Sequence, residues 1–203
     1  RTFNLKKKCK KFRPLDSLSL GSYNVKMISH IIDDLFDKDF ISNLESILTH
    51  EIPVTANNVA NSHRLFGTNI LARSSLNRVD YLHDKAAKFF DAFDVIEDQF
   101  NNPIYLKRID VNLQFIGMNG STHTDAVDDE LTVMLMNNSE WKPEWGGQFQ
   151  LMDWKENVIE QHDYVPGRLI IFPGKHPHRG LAPTVPHVPR YTTVYRIIPE
   201  EKS

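Results

Sequence analysis

The chain has 203 residues, 40% hydrophobic and 25% charged, a balance that fits one ordinary soluble globular domain. A formal net charge of −2 supplies no global field that would call for nucleic acid or a membrane surface. The single cysteine, Cys9, excludes an internal disulfide framework and fits a reducing, cytoplasmic setting.

Residues 1–25 open with RTFNLKKKCKKFRP and read as a basic arm or edge segment, a solvated terminus in the main. No apolar stretch follows the positive run, so it does not read as a signal peptide, and no run approaches the ~18 apolar residues of a membrane span. The spacing of Phe40, Ile41, Leu44, Ile47 and Leu48 predicts a helix within residues 36–50, with Asp37 as its N-cap. A second helix is expected over Val79–Phe93, with Val79, Leu82, Ala86, Phe89, Phe90 and Phe93 on its packed face. Between the two, the Asn-rich residues 53–77 show little periodicity and read as a long functional loop, a candidate lid over residues 54–75.

From Ile104 onward the texture becomes β-like. The runs IYLKRIDVNLQFIGM, LTVMLMN, GQFQLMD, RLIIFPG and YTTVYRII are separated by the turn signals MNGS, WGG, VPGR and PGKHP. Helices followed by six or more short strands predict an α+β protein, a sandwich or jelly roll buttressed by N-terminal helices. Trp141, Trp145 and Trp154 flank the Gly-Gly hairpin and read as packing or edge protection.

Three short motifs carry chemistry. In GSTHTDAVDD, His123 and Asp125 stand two apart, so an extended backbone points both to one side. Two ligands are too few for a metal. Further donors are available in FPGKHPHRGLAPT, at His176 and His178. Two imidazoles and one carboxylate on one face of a metal leave open positions, an arrangement that suits non-haem Fe(II). Zinc accepts the same donors, but no HExxH or paired-cysteine motif accompanies them. In VPRYTTVYRI, Arg190 and Thr192 share a strand face, where a guanidinium fork and a hydroxyl can clamp a carboxylate.

Taken in order, H-x-D, TVMLMNNSEWKPEWGGQFQLMD, GRLIIFPGKHPHRGLAP and RYTTVYRI resemble the Fe(II)/2-oxoglutarate-dependent oxygenases, in particular the prolyl 4-hydroxylase-like branch. The resemblance covers about residues 104–198 and extends weakly to the helix at 36–50. It implies a double-stranded β-helix core within a single domain over 26–203. It implies His123, Asp125 and, by its flanking prolines, His178 rather than His176 as metal ligands. Arg190 and Thr192 would hold the far carboxylate of 2-oxoglutarate. The cofactors implied are Fe(II), 2-oxoglutarate and O2, with ascorbate as an optional addition.

The chemistry implied is hydroxylation of a C–H bond, first of all in a prolyl residue of a peptide or protein, with release of succinate and CO2. The family's usual tyrosine for that carboxylate is missing, Phe115 and Leu135 standing nearby, so Asn112 or Gln114 is a candidate replacement. Because Asp125 is present, halogenation is disfavoured. Two alternatives stay open: a demethylase of alkylated nucleic-acid bases, suggested by Arg190 and Arg196 six apart, and a non-catalytic metal-binding jelly roll. Peptide, protein or small-molecule substrates are the expected partners, with neither nucleic acid nor membrane among them.

Overall fold

The computed structural model describes residues 27–59, 63–73, 79–81 and 87–200. The basic arm and Cys9 lie outside the described residues. Helix α1 spans Lys38–His50, and the Asp37 carboxylate caps it by accepting from the Phe40 N–H at 2.7 Å. Its buried stripe is Ile41, Leu44 and Leu48, as the spacing predicts.

The second helix departs from expectation. Helix α2 occupies Ala87–Glu97 and buries Phe89, Ala92, Phe93 and Ile96, while Val79–Tyr81 is a strand, β4. The expected packed face holds from Phe89 onward; Leu82 and Ala86 lie outside the described residues, and Val79 belongs to a three-residue strand too short to carry a period of its own. Residues 53–77 are corrected too. They contribute strands β2 (Thr55–Val59) and β3 (His63–Arg73), an antiparallel hairpin that continues the main sheet through β3 and β5 (Ile104–Gln114). Asn is a poor strand former, and tertiary pairing overrides that preference here.

The remaining strands are β1 (His30–Ile32), β6 (Leu131–Met136), β7 (Phe149–Met152), β8 (Val158–His162), β9 (Leu169–Pro173), β10 (His178–Gly180) and β11 (Arg190–Pro199). An eight-stranded sheet runs β1-β9-β6-β11-β5-β3-β2, with β4 paired to β3; a smaller sheet runs β10-β7-β8. Alternation along the strands divides the interior in two. Val133, Leu135, Tyr195 and Ile197 point to the side shared with α1 and α2. There Tyr195 stacks on Phe93 at 6.3 Å and donates to the Phe89 carbonyl at 3.2 Å. Met134, Met136, Ile170 and Phe172 point the other way and pack with Phe149 and Leu151 of the small sheet. The protein is therefore layered as helices, large sheet and small sheet, a mostly β architecture consistent with a jelly-roll core. No described helix is long and apolar enough to cross a membrane.

Candidate metal and carboxylate site

Between the two sheets lies a cavity of about 360 Å³. Its floor comes from the faces of β5 and β11 turned away from the helices, because register pairs Arg190 with Gln114, Thr192 with Asn112, Val194 with Asp110 and Arg196 with Arg108. Period-two alternation thus delivers every second residue of both strands to one polar trough.

His123 and His178 face each other across an isolated antiparallel bridge. The His123 N–H donates to the His178 carbonyl at 3.1 Å, and the His178 N–H donates back at 2.9 Å. Asp125 completes the group. Its Oδ1 lies 3.7 Å from His123 Nε2 and its Oδ2 3.5 Å from His178 Nε2, and the three donor atoms lie within 4.8 Å of one another.

The rings are held by their other nitrogens. His123 Nδ1 donates to the Ser121 carbonyl at 2.9 Å and His178 Nδ1 to the His176 carbonyl at 2.8 Å. With Nδ1 protonated, each Nε2 keeps its lone pair for the shared point, the outer support that a metal-binding imidazole needs. Thr132 Oγ1 donates to Asp125 Oδ2 at 2.8 Å. Burial pushes the His178 imidazole down to about 4, against the upward pull of Asp125, so it is neutral and ready to donate its lone pair. The loop bearing Asp125 is clamped because the Asp125 and Ala126 N–H groups both donate to the Gly174 carbonyl, at 2.8 and 3.1 Å. Among the described residues, His176 is not part of this cluster; it contributes its carbonyl instead.

Arg190 is 1% exposed. Its Nε donates to the Gly147 carbonyl at 2.9 Å, its Nη1 donates to Gln114 Oε1 at 2.6 Å, and its guanidinium sits 5.1 Å from the centre of the Tyr164 ring. Nη2 is buried with no hydrogen-bond partner. Among the described residues no carboxylate pairs with the group, and burial lowers it to about 10. A buried guanidinium with an unpaired N–H is costly unless an anion meets it. Thr192 lines the same cavity, 2% exposed.

All the residues singled out in the sequence as ligands or clamp, His123, Asp125, His178, Arg190 and Thr192, line this one cavity. Gln114 stands in contact with Arg190 and is itself fixed by donating to the Met118 and Gly180 carbonyls at 2.8 and 3.1 Å. Asn112 lines the cavity beside Thr192. Arg196 is engaged elsewhere, donating to the Asp125 carbonyl and to Glu130 Oε2 at 3.2 Å. Sequence reasoning missed Thr132, Tyr164 and Gly147 as supports. No local signal marks them, because each meets the site through strand register or a distant loop. Trp141 packs on Tyr164 at 4.2 Å, as expected of a packing residue, whereas Trp154 stands 75% exposed.

The donor set fits an Fe(II) ion, with two imidazoles and a carboxylate on one side, and the unpaired Arg190 N–H fits the free end of a dicarboxylate. Residues 111–195 match the model of the 2OG-Fe(II) oxygenase superfamily. The fold is shared with an oxidoreductase of the 2OG-Fe(II) oxygenase family from Burkholderia pseudomallei, at a TM-score of 0.67 and 14% identity, covering 84% of this chain and 85% of that one. It is shared too with a Pseudomonas putida prolyl-4-hydroxylase, at 0.59 and 16% over 86% and 94% of the two chains. A third is a Trichoplax adhaerens prolyl hydroxylase solved with a hypoxia inducible factor peptide fragment, at 0.61 and 16% over 83% of each. Among curated proteins none matches the sequence. The matched segment holds the three metal-site residues and the buried arginine, so over residues 111–195 this chain is similar to the 2OG-Fe(II) oxygenase superfamily.

Proposed function

We propose that this protein is an Fe(II)- and 2-oxoglutarate-dependent dioxygenase that hydroxylates a substrate C–H bond, most directly in a prolyl residue of a peptide or protein. The observation that carries the reading is one cavity holding both the His123–Asp125–His178 cluster and a buried arginine with an unpaired N–H. Support for the prolyl substrate comes from the fold shared with two prolyl hydroxylases, one of them solved with a peptide.

In this reading His123, Asp125 and His178 hold the iron, and Arg190, with Thr192 beside it, binds the distal carboxylate of 2-oxoglutarate. An iron held there would supply the oxidation of a substrate C–H to C–OH by O2, coupled to conversion of 2-oxoglutarate to succinate and CO2. The chain supplies position. The Ser121 and His176 carbonyls aim the imidazoles, Thr132 aims the carboxylate, and Gln114 and the Gly147 carbonyl hold the guanidinium in register. Met134, Phe149 and Phe172 give the cavity an apolar wall.

The test is anaerobic addition of Fe(II) and then 2-oxoglutarate, followed by visible absorption. A charge-transfer band that is absent in His123→Ala and needs far more 2-oxoglutarate in Arg190→Ala is the expected result. Metal bound with no band at any 2-oxoglutarate concentration refutes the reading.

A further inference from the structure

Arg190 is not the cavity's one arginine with a stranded donor. Among the described residues, three arginine nitrogens are buried without a hydrogen-bond partner: Arg190 Nη2, Arg108 Nε and Arg196 Nε. All three arginines line the cavity. Arg190 stands at one end of the trough. Arg108 and Arg196, directly opposite each other on β5 and β11, stand at the other, six residues along and so about 20 Å away at the rise of a strand. The metal cluster lies between. Gly180, two residues past His178, packs beside Arg190, whereas the Asp125 carbonyl accepts from Arg196.

Like charges placed opposite each other on adjacent strands repel unless something negative meets them. Two carboxylates do so in part. Arg108 is ion-paired with Asp110, its Nε 2.6 Å from Oδ2. Asp110 is claimed also by the Asn69 side-chain N–H, and Glu130 is shared between Arg196 and Lys107. With Asp125 committed to the metal in this reading, Arg108, Arg196 and Lys107 face Asp110 and Glu130, one positive charge in excess. The Arg108 side chain lines the cavity and is 42% exposed.

We infer that Arg108, backed by Arg196, binds a carboxylate of the substrate, at the end of the cavity opposite the 2-oxoglutarate clamp. One surplus charge matches a monoanion better than a phosphate. A carboxylate held there lays the rest of the substrate back across Asp110 and Val194 towards the metal cluster. The inference rests on the oxygenase reading and narrows its substrate class. The carboxylate can belong to a free amino acid or to an acidic residue beside the hydroxylated one, and the two sources are separable.

The experiment uses the full chain loaded anaerobically with Fe(II) and 2-oxoglutarate. It compares L-proline with L-prolinamide, and an acetylated tripeptide amide carrying Pro-Asp with its Pro-Asn counterpart. Binding is read from the perturbation of the charge-transfer band, and turnover from succinate released in air. We expect the carboxylate member of at least one pair to half-saturate at about tenfold lower concentration, the worth of one charge-assisted hydrogen bond. Which pair shows the difference names the source. The preference should collapse in Arg108→Gln and return in part in Arg108→Lys, with half-saturation by 2-oxoglutarate unchanged in both. The band itself reports that each variant is folded. A wild-type protein that keeps the band but prefers neither carboxylate, or a preference that survives Arg108→Gln, overturns the inference and leaves the oxygenase reading standing. A wild-type protein without the band removes both.

Discussion

Each histidine of the cluster gives its Nδ1 proton to a carbonyl two residues upstream, so an x-x-His turn builds the support together with the ligand. Asp125 depends instead on a side chain from β6, Thr132. Thr132→Val keeps the shape and removes that bond, and should weaken iron binding about tenfold in equilibrium dialysis. His123→Ala should abolish it. Arg190 serves a different ligand. Arg190→Gln should raise the 2-oxoglutarate concentration for half-saturation by about a hundredfold, the upper range for losing a buried charged hydrogen bond. Iron affinity should stay unchanged, and a parallel loss of iron would show that the two halves of the site are not separate.

The elements hold these residues through a few exacting positions. Gly147 has φ +78, and a Cβ there would meet Trp141 Cζ2 at 2.8 Å and Arg190 Cδ at 3.3 Å. Gly147→Ala is therefore strained in its backbone and displaces the arginine that its own carbonyl holds. Thermal unfolding should show about 1–3 kcal/mol of destabilisation, and 2-oxoglutarate binding should suffer with it. Asn138, following β6, donates to Glu45 of α1 and to the Pro189 carbonyl, both at 2.9 Å; its Oδ1 accepts from the Tyr164 hydroxyl at 2.7 Å and the Tyr191 N–H at 2.9 Å. One amide thus ties α1, β6, the loop behind Arg190 and the start of β11. Asn138→Ala leaves several buried groups unpaired and should cost about 3 kcal/mol in denaturant titration. The small sheet is fastened likewise: Glu160 of β8 accepts from the Ser29 hydroxyl at 2.6 Å and from the Ile28 and Ser29 N–H groups.

At the scale of the molecule, the layered packing places ionisable groups where water cannot reach them, and stability should respond to pH accordingly. Burial holds His178 at about 4 in the metal-free protein, whereas a free histidine titrates near 6.5. Between those values the unfolded chain binds a proton that the folded chain refuses. The contribution of this site is therefore complete above pH 6.5 and is lost as pH falls towards 4. The melting temperature of the metal-free protein should drop across that window, and the drop should be smaller in His178→Gln. Equal slopes for the two proteins would show that His178 does not stay neutral. Iron, which binds the neutral imidazole, should protect the wild type over the same range.

Much of this was legible in the chain alone, for identifiable reasons. H-x-D, the proline-flanked His178 and Arg190 two residues before Thr192 are local patterns, and extended backbone converts such spacing directly into shared direction. The strands from Ile104 onward and helix α1 declared themselves by period and cap. What the sequence could not convey is pairing between distant segments. Residues 55–59 and 63–73 form strands because β5 offers β3 an edge and β3 in turn pairs β2, against their Asn-rich composition. Val79–Tyr81 is a strand only because β3 lies beside it. Opposing Arg108 to Arg196, setting Gln114 against Arg190 and sliding Tyr164 beneath it are consequences of register across sheets. The sequence by itself determined which chemical groups the site contains; tertiary structure decided which of them meet and which donors are left unpaired, because those contacts join residues far apart along the chain.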